Sequence, residues 1–460
     1  MIGRRTARRR RLHNAGVYTL PMTAQRQGPL NLDGRATPMT AQPTVTSLHR
    51  FATAWIRAGI AAPLITLALT APAAAAASYA TEGTCAGFPK IVLAVPAGWC
   101  LALVADAASG LVFPRRVVEV APDRFWLVDM GGWEPGRGRL LEFELPARGA
   151  PSPVTMKVIA DKLDRPHGLA LGPDGRVYVG EATRIWRTAT TLPIVVEAVV
   201  TGLPSDGSHP LKEIVFGARG QLFVNVGSSS DACGGDVGAM PLPCADRAGA
   251  TPRAAVYEAT LGGPGFTLQS FKPYAIGLRN SLALAWAAPG VLLQGENSID
   301  YRDAESPPEE LNSLRRGADY GWPYCVGARR PAHGYEKRFD CTRSEAPALL
   351  WPAHAAPLQM IAVPADARND FAGQLVVAWH GYRAGGHRVV SFALDAGGRP
   401  RGPARSWIDG WSALRNVRPL GTPAGIVVDS AGRLLVVEDR NRTLLMLVRE
   451  GAASGATTIR

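Results

Sequence analysis

A short apolar run following a turn of Gly, Pro, Asp or Asn returns six times along this chain, and that periodicity restricts the fold more than any other feature. The runs are FWLVDMGG (125–132), RVYVGEA (176–182), QLFVNVGSSS (221–230), VLLQGENS (291–298), QLVVAWHG (374–381) and RLLVVEDR (433–440). β-Branched, aliphatic and aromatic residues leaving a tight turn are the pattern of a strand in a hairpin. Each run has an apolar partner upstream, such as VVEVA, HGLAL or EIVF, and most have another downstream, such as RLLEFEL, AAVYEAT or TLLMLV. Three to four antiparallel strands per unit make a blade. Residues 85–450 shared among six units give about 61 each, above the roughly 40–50 of short-motif propellers but consistent with long loops. The expected fold is all-β, a six-bladed β-propeller of four-stranded antiparallel blades. Only PPEELNSLRRG (307–317) has a helical pattern, and it predicts one short helix.

The formal charge of +12 first suggests an acidic partner such as nucleic acid, but its distribution removes that reading. Residues 1–77 hold ten Arg against the single acid Asp33, a net of +9, so 12 − 9 = +3 remains for the rest. The basic segment runs into AGIAAPLITLALTAPAAAAA, an apolar stretch followed by small residues that resembles a secretory signal cleaved near Ala77. Met39 is the expected true start. The organisation expected is a leader at 1–77 and a single propeller at 78–455, periplasmic or secreted, with no membrane span after cleavage and no nucleic-acid partner. Cysteine usage agrees with export. The six Cys fall as neighbours, and the expected pairs are Cys85 with Cys100, Cys233 with Cys244, and Cys325 with Cys341.

A propeller hosts enzymes and binding modules alike, so function must come from polar residues at the ends of the marker strands. YAIGLRNSLALAW, followed by LLQGENSIDYRDAESPPEELNSLRRGADYGWPYCVG, resembles the fourth blade of the soluble PQQ-dependent glucose and sorbosone dehydrogenases. SHPLKEIVFGARGQLFVNVGSSSDACGGD is similar to that family's third blade. The resemblance implies PQQ lying over the channel, a Ca2+ ion, and a His base surrounded by basic side chains.

Carried over by position, His209 matches the base that takes the sugar hydroxyl proton as hydride passes to the quinone, a role suited to an imidazole. Arg279 and Asn280 match the pair that holds the carboxylates and carbonyls of the tri-acid cofactor. Lys212 stands where sorbosone-type members often have Arg. Further cofactor contacts are expected from Arg383 or Arg388 in the fifth repeat and from Arg415 or Arg418 near the sixth. Glu296, Asn297 and Asp300 supply the oxygen ligands that Ca2+ prefers. The sequence departs from the family's glucose-oxidising members at Pro166 and His167, Ser208, and Ser298 and Ile299; with Ser208 in place of an acid, the residue orienting His209 is absent or is Asp206.

The leading function implied is PQQ-dependent oxidation of a sugar (aldose or sorbosone-like) or a polyol. A separate acceptor, a quinone or a cytochrome, then takes the electrons, because the chain has no CxxCH haem motif. Two alternatives remain: a lactonase-type hydrolase with a metal held by Glu181, Asn225 and Asp439, and a cofactor-less propeller that binds a glycan or a partner.

Overall fold

A computed structural model describes residues 79–146, 154–234, 240–263, 265–381, 383–412 and 421–451. The leader and the proposed cleavage site lie outside these residues. Every one of the six marker runs forms the second strand of an antiparallel sheet, with its upstream partner first and its downstream partner third. Blade 1 is Pro114–Ala121, Arg124–Asp129, Gly138–Glu144 and Lys157–Leu163. Blade 2 is Gly168–Leu171, Val177–Gly180, Arg184–Thr188 and Glu197–Thr201. Blade 3 is Ile214–Phe216, Leu222–Val226, Ala255–Gly262 and Thr267–Ile276. Blade 4 is Ala283–Ala288, Val291–Glu296, Pro308–Leu314 and Leu349–Ala353. Blade 5 is Pro357–Ala362, Gln374–Trp379, Arg388–Leu394 and Pro400–Ile408. Blade 6 is Pro423–Val428, Leu434–Glu438 and Thr443–Arg449, completed by Trp99–Ala105 from the N-terminal side. That last pairing sets Leu447 opposite Leu101 and closes the ring by joining its two ends.

The marker strands are apolar on both faces because each is sandwiched between neighbouring blades. Leu222–Val226 and Leu434–Glu438 are buried at every position. The core is accordingly a set of wedges between successive blades, such as Tyr178, Ile185, Val224 and Tyr257 between blades 2 and 3, or Leu293, Trp351, Val377 and Phe392 between blades 4 and 5. All three cysteine pairs form as expected: Cys85–Cys100, Cys233–Cys244 and Cys325–Cys341.

The expected helix at 307–317 is a strand. Glu309, Glu310 and Asn312 look like the solvated face of a helix, yet their exposures are only 4%, 6% and 0%. Tertiary partners override the local pattern. The Glu309 carboxylate accepts from Ser298 N at 2.6 Å and Ala356 N at 3.1 Å, and Asn312 Nδ2 donates to Gln294 Oε1 at 3.0 Å and Glu310 Oε2 at 3.1 Å.

The ring axis is filled by one side chain. Arg116, on the first strand of blade 1, is wholly buried, and its guanidinium meets a partner from every blade. It donates to Arg115 O of its own blade, touches His167 Nε2 at 2.8 Å where the chain enters blade 2, and pairs with Glu213 at the entry to blade 3. It also donates to Leu282 O before blade 4, Leu358 O in blade 5 and Ala424 O in blade 6. On this hub sits an apolar collar of Met130, Leu211, Leu282, Leu358 and Ala424, with Phe113 packed against it.

Candidate functional site

Loops at one end of the inner strands enclose a cavity of about 670 Å3 whose lining includes Leu211, Leu282 and Leu358 of the axial collar. Its size lies within the roughly 300–1,000 Å3 of small-molecule sites. Walls are polar and come from several blades.

His209 lies on the segment entering blade 3 and lines the cavity. Its Nδ1 is 3.0 Å from Ser228 O and 2.8 Å from Ser228 Oγ. A carbonyl oxygen only accepts, so Nδ1 carries the proton and Nε2 keeps its lone pair. Burial, assisted by the positive charge of Arg279, pushes the His209 imidazole down to about 3 and keeps it neutral. The orienting group is therefore Ser228, and Asp206 is instead an exposed partner of Arg253. Close approach explains the glycine between Val226 and Ser228: a Cβ on Gly227 would lie 2.6 Å from His209 Cβ.

Arg279 and Asn280 also line the cavity, at the turn entering blade 4. The Arg279 guanidinium pairs with Asp231 at 2.6 Å and Asp300 at 2.8 Å, and donates to Asn297 O at 2.9 Å. Asn280 Oδ1 accepts from Asn225 Nδ2 at 3.3 Å.

A second cluster lies toward blades 5 and 6. Asp439 pairs with Arg115 at 2.5 Å and with His380 Nε2 at 3.1 Å, while Thr422 Oγ1 donates to it at 2.5 Å. Burial would raise the Asp439 carboxyl, but His380 and Arg115 hold it well below the usual carboxylate range. Arg115 Nε also donates to His167 Nδ1 at 3.1 Å, which links the cavity to the axial hub.

Several expected positions do not reach the cavity. Lys212 is buried beneath the His209 segment, its ammonium donating to Pro204 O at 2.7 Å and Pro210 O at 2.5 Å, so it braces the loop that carries His209. Arg383 donates to the carbonyls of Tyr301 and Arg302, both at 3.1 Å, and Arg388 turns back onto Ala384 O and Gly386 O. Neither lines the cavity. Arg418, like Arg415, lies outside the described residues. Arg115, Arg440 and Arg442 line the cavity instead. Arg440 and Arg442 are exposed at the end of a blade 6 strand, and neither guanidinium is paired among the described residues.

The three expected calcium ligands are not brought to one point. Glu296 Oε1 accepts from Arg279 N at 2.5 Å and Oε2 from Gln294 Nε2 at 2.6 Å, which turns its carboxylate into the blade. Asn297 donates its amide to Asn280 O and Pro357 O, and Asp300 holds Arg279. No group of three or more His, Cys, Asp or Glu suited to a metal occurs among the described residues. This donor set does not fit a calcium ion. The hydrolase trio is also dispersed: Glu181 is held by Arg184 and Asp164 N, and neither Glu181 nor Asn225 lines the cavity.

Burial pushes the Lys212 ammonium down to about 7, with Arg253 and Arg165 adding to the shift. The unfolded chain then binds more protons at this side chain between about pH 7 and 10, so its contribution to stability rises with pH across that window. Unfolding free energies of the wild type minus those of Lys212→Met should increase from pH 7 to pH 9.5 in urea titrations. A flat difference contradicts the assignment.

Glu309, His380, Arg115 and the two blade 6 arginines were not singled out in the sequence as site residues. His380 and Asp439 directly follow marker strands, where polar residues are the natural candidates, and Asp439 alone had been noted, in a different role. Glu309 was hidden by the helical pattern around it. Burial pushes its carboxyl up to about 8.

No curated protein matches the chain. Among solved structures, the holo PQQ domain of a pyranose dehydrogenase from Coprinopsis cinerea is similar at 22% identity over 79% of this chain and 99% of that one, with a TM-score of 0.62. A carbohydrate-active enzyme of family AA12 from Trichoderma reesei matches at 20% over 80% and 100%, with a TM-score of 0.61. The PQQ-bound aldose sugar dehydrogenase from Streptomyces coelicolor matches at 18% over 77% and 99%, with a TM-score of 0.50. These likenesses establish the propeller. Residues 195–420, the stretch that carries His209, Arg279 and His380, match the family model described as glucose/sorbosone dehydrogenase.

Proposed function

We propose that this protein is an exported sugar dehydrogenase that binds PQQ in the 670 Å3 cavity and oxidises an aldose, a sorbosone-like sugar or a polyol. The observation that carries the reading is His209, with Nδ1 tied to Ser228 and Nε2 left to accept a proton inside a cavity that Arg115, Arg279, Arg440 and Arg442 help to line. A flat aromatic tri-acid matches the donors present. The collar of Leu211, Leu282 and Leu358 offers an apolar floor, and Arg115, Arg279, Arg440 and Arg442 offer charge-assisted hydrogen bonds to carboxylates. When bound, PQQ supplies an ortho-quinone able to take up a hydride.

In this arrangement His209 Nε2 takes the hydroxyl proton of the carbon being oxidised, and Ser228 holds the ring in the tautomer that permits it. Arg279 lowers the proton affinity of His209 through its charge, and Asp231 and Asp300 fix Arg279 in place. The collar and the Arg116 hub close the cavity at the axis. The same guanidinium disfavours the hydrolase reading, since it stands where a metal at the channel centre would be held. Electrons then leave to a separate acceptor.

Equilibrium titration of the apoprotein with PQQ, with and without Ca2+, tests the cofactor directly, and dye reduction with a panel of aldoses, sorbosone and polyols tests the chemistry. Saturable binding and sugar-dependent dye reduction support the reading, whereas absence of PQQ binding in both buffers overturns it. Arg440→Ala and Arg442→Ala should each weaken PQQ binding roughly ten- to a hundredfold, the value of one charge-assisted contact. Unchanged affinity in both variants removes blade 6 from the cofactor site.

A further inference from the structure

Trp133 has no place in the chemistry above, yet it lines the same cavity with its side chain 56% exposed. It belongs to the blade 1 loop MGGWEPGR (130–137), beside Val112, which is 41% exposed, and the half-buried Phe113. Large apolar side chains left in water at the mouth of a cavity mark a binding surface.

The loop is firmly built. The Asp129 carboxylate, wholly buried, accepts from Val112 N at 2.8 Å, Phe113 N at 2.7 Å and Gly131 N at 2.9 Å, and pairs with Arg139 at 2.7 Å. One side chain thus anchors both segments of the apolar wall. Gly131 has φ +66°, and a Cβ there would collide with Arg137 O at 2.1 Å, so the base of the loop is pinched shut. Phe113 continues the surface: its ring lies 6.4 Å from that of Trp133, and the Arg115 guanidinium lies over it, 5.4 Å from the ring centre. An aromatic pair therefore extends from Arg115 to the exposed Trp133.

In a ring of six, blade 1 stands opposite blade 4. The blade 4 loop carries Asp300, whose side chain is 59% exposed, and Asp231 from blade 3 stands beside it. An aromatic wall facing carboxylates matches a pyranose, which has an apolar C–H face and an edge of hydroxyl donors. The wall lies at the rim, so it meets the part of a substrate that extends outward from the reacting carbon.

We propose that Trp133, with Val112 and Phe113, forms a distal sugar subsite that receives the second unit of a disaccharide or glycoside whose first unit is oxidised at His209. The proposal rests on the dehydrogenase reading for the identity of the first unit. It makes oligosaccharides better substrates than their monosaccharides, with the gain in KM.

Kinetics with a dye acceptor on glucose and cellobiose, and on xylose and xylobiose, test it in the wild type, Trp133→Ala and Trp133→Phe. Trp133→Ala should lower kcat/KM for the disaccharides roughly three- to tenfold, the value of one aromatic contact, entirely through KM. Monosaccharides should change less than about twofold on the same scale, and Trp133→Phe should keep most of the disaccharide preference. Equal losses on both sugar classes, or no loss on either, overturn the subsite. So does a variant altered only in its rate with a protein electron acceptor, which would make the wall a docking surface. Binding of methyl β-cellobioside to the apoprotein by calorimetry supplies a readout independent of oxidation, because its anomeric carbon is blocked. Trp133-dependent binding without oxidation of any sugar retains the subsite and removes only the dehydrogenase reading; oxidation without Trp133-dependent binding does the reverse.

Discussion

Arg116→Met should lower the unfolding free energy by about 3–5 kcal/mol, the usual cost of removing one partner from a buried ion pair. The guanidinium has no water contact, and its removal strands the Glu213 carboxylate at the centre of the molecule. Carbonyls of Leu282, Leu358 and Ala424 lose their donor in the same step, and a buried acceptor left unmade carries its own penalty. The loss is concentrated because one group joins all six blades. Urea unfolding of the variant measures it directly, and adding Glu213→Gln should recover part of the loss, since the uncompensated charge is then gone. A single variant within about 1 kcal/mol of the wild type, where ordinary substitutions fall, contradicts the hub.

His209→Ala should reduce kcat by about 10²- to 10⁴-fold, the contribution typical of a positioned general base, while PQQ affinity changes little. The second expectation follows from geometry. His209 presents a neutral imidazole, whereas the arginines lining the cavity are the groups that would meet the cofactor's carboxylates. Ser228→Ala keeps the Ser228 carbonyl as acceptor and removes only the hydroxyl, so its effect on kcat should be far smaller.

The architecture was legible because it is encoded repeatedly. Six strands between neighbouring blades must each be apolar on both faces, so the same run recurs with its turn and its partners. The three disulfides were legible for a similar reason, since each joins cysteines 11 to 16 residues apart. The site was legible only where a local segment supplies both a residue and its surroundings. His209, Arg279 and Asn280 sit in long matching segments of blades 3 and 4, and all three line the cavity.

Residues whose roles depend on distant partners were misplaced. Lys212 lies three positions from His209, but the segment entering blade 3 carries its ammonium beneath the loop to two carbonyls. Arg383 and Arg388 belong to the correct blade but are turned to backbone carbonyls outside the cavity. Glu309 and Glu310 read as exposed helix residues because nothing local reveals that Ser298 N, Ala356 N and Asn312 satisfy them. Arg116 was invisible for the strongest form of this reason. Its six partners are spread from Arg115 to Ala424, and no sequence window contains them together.

The most direct test of the central claim is a single turnover without oxygen or dye. The protein is loaded with PQQ, mixed with excess sugar from the panel, and the absorbance of the oxidised quinone is followed. Rapid, sugar-dependent loss of that absorbance in the wild type, slowed about 10²-fold or more in His209→Ala, is the predicted result. Bound quinone that no aldose, sorbosone or polyol reduces, or equal rates in the two proteins, would contradict it.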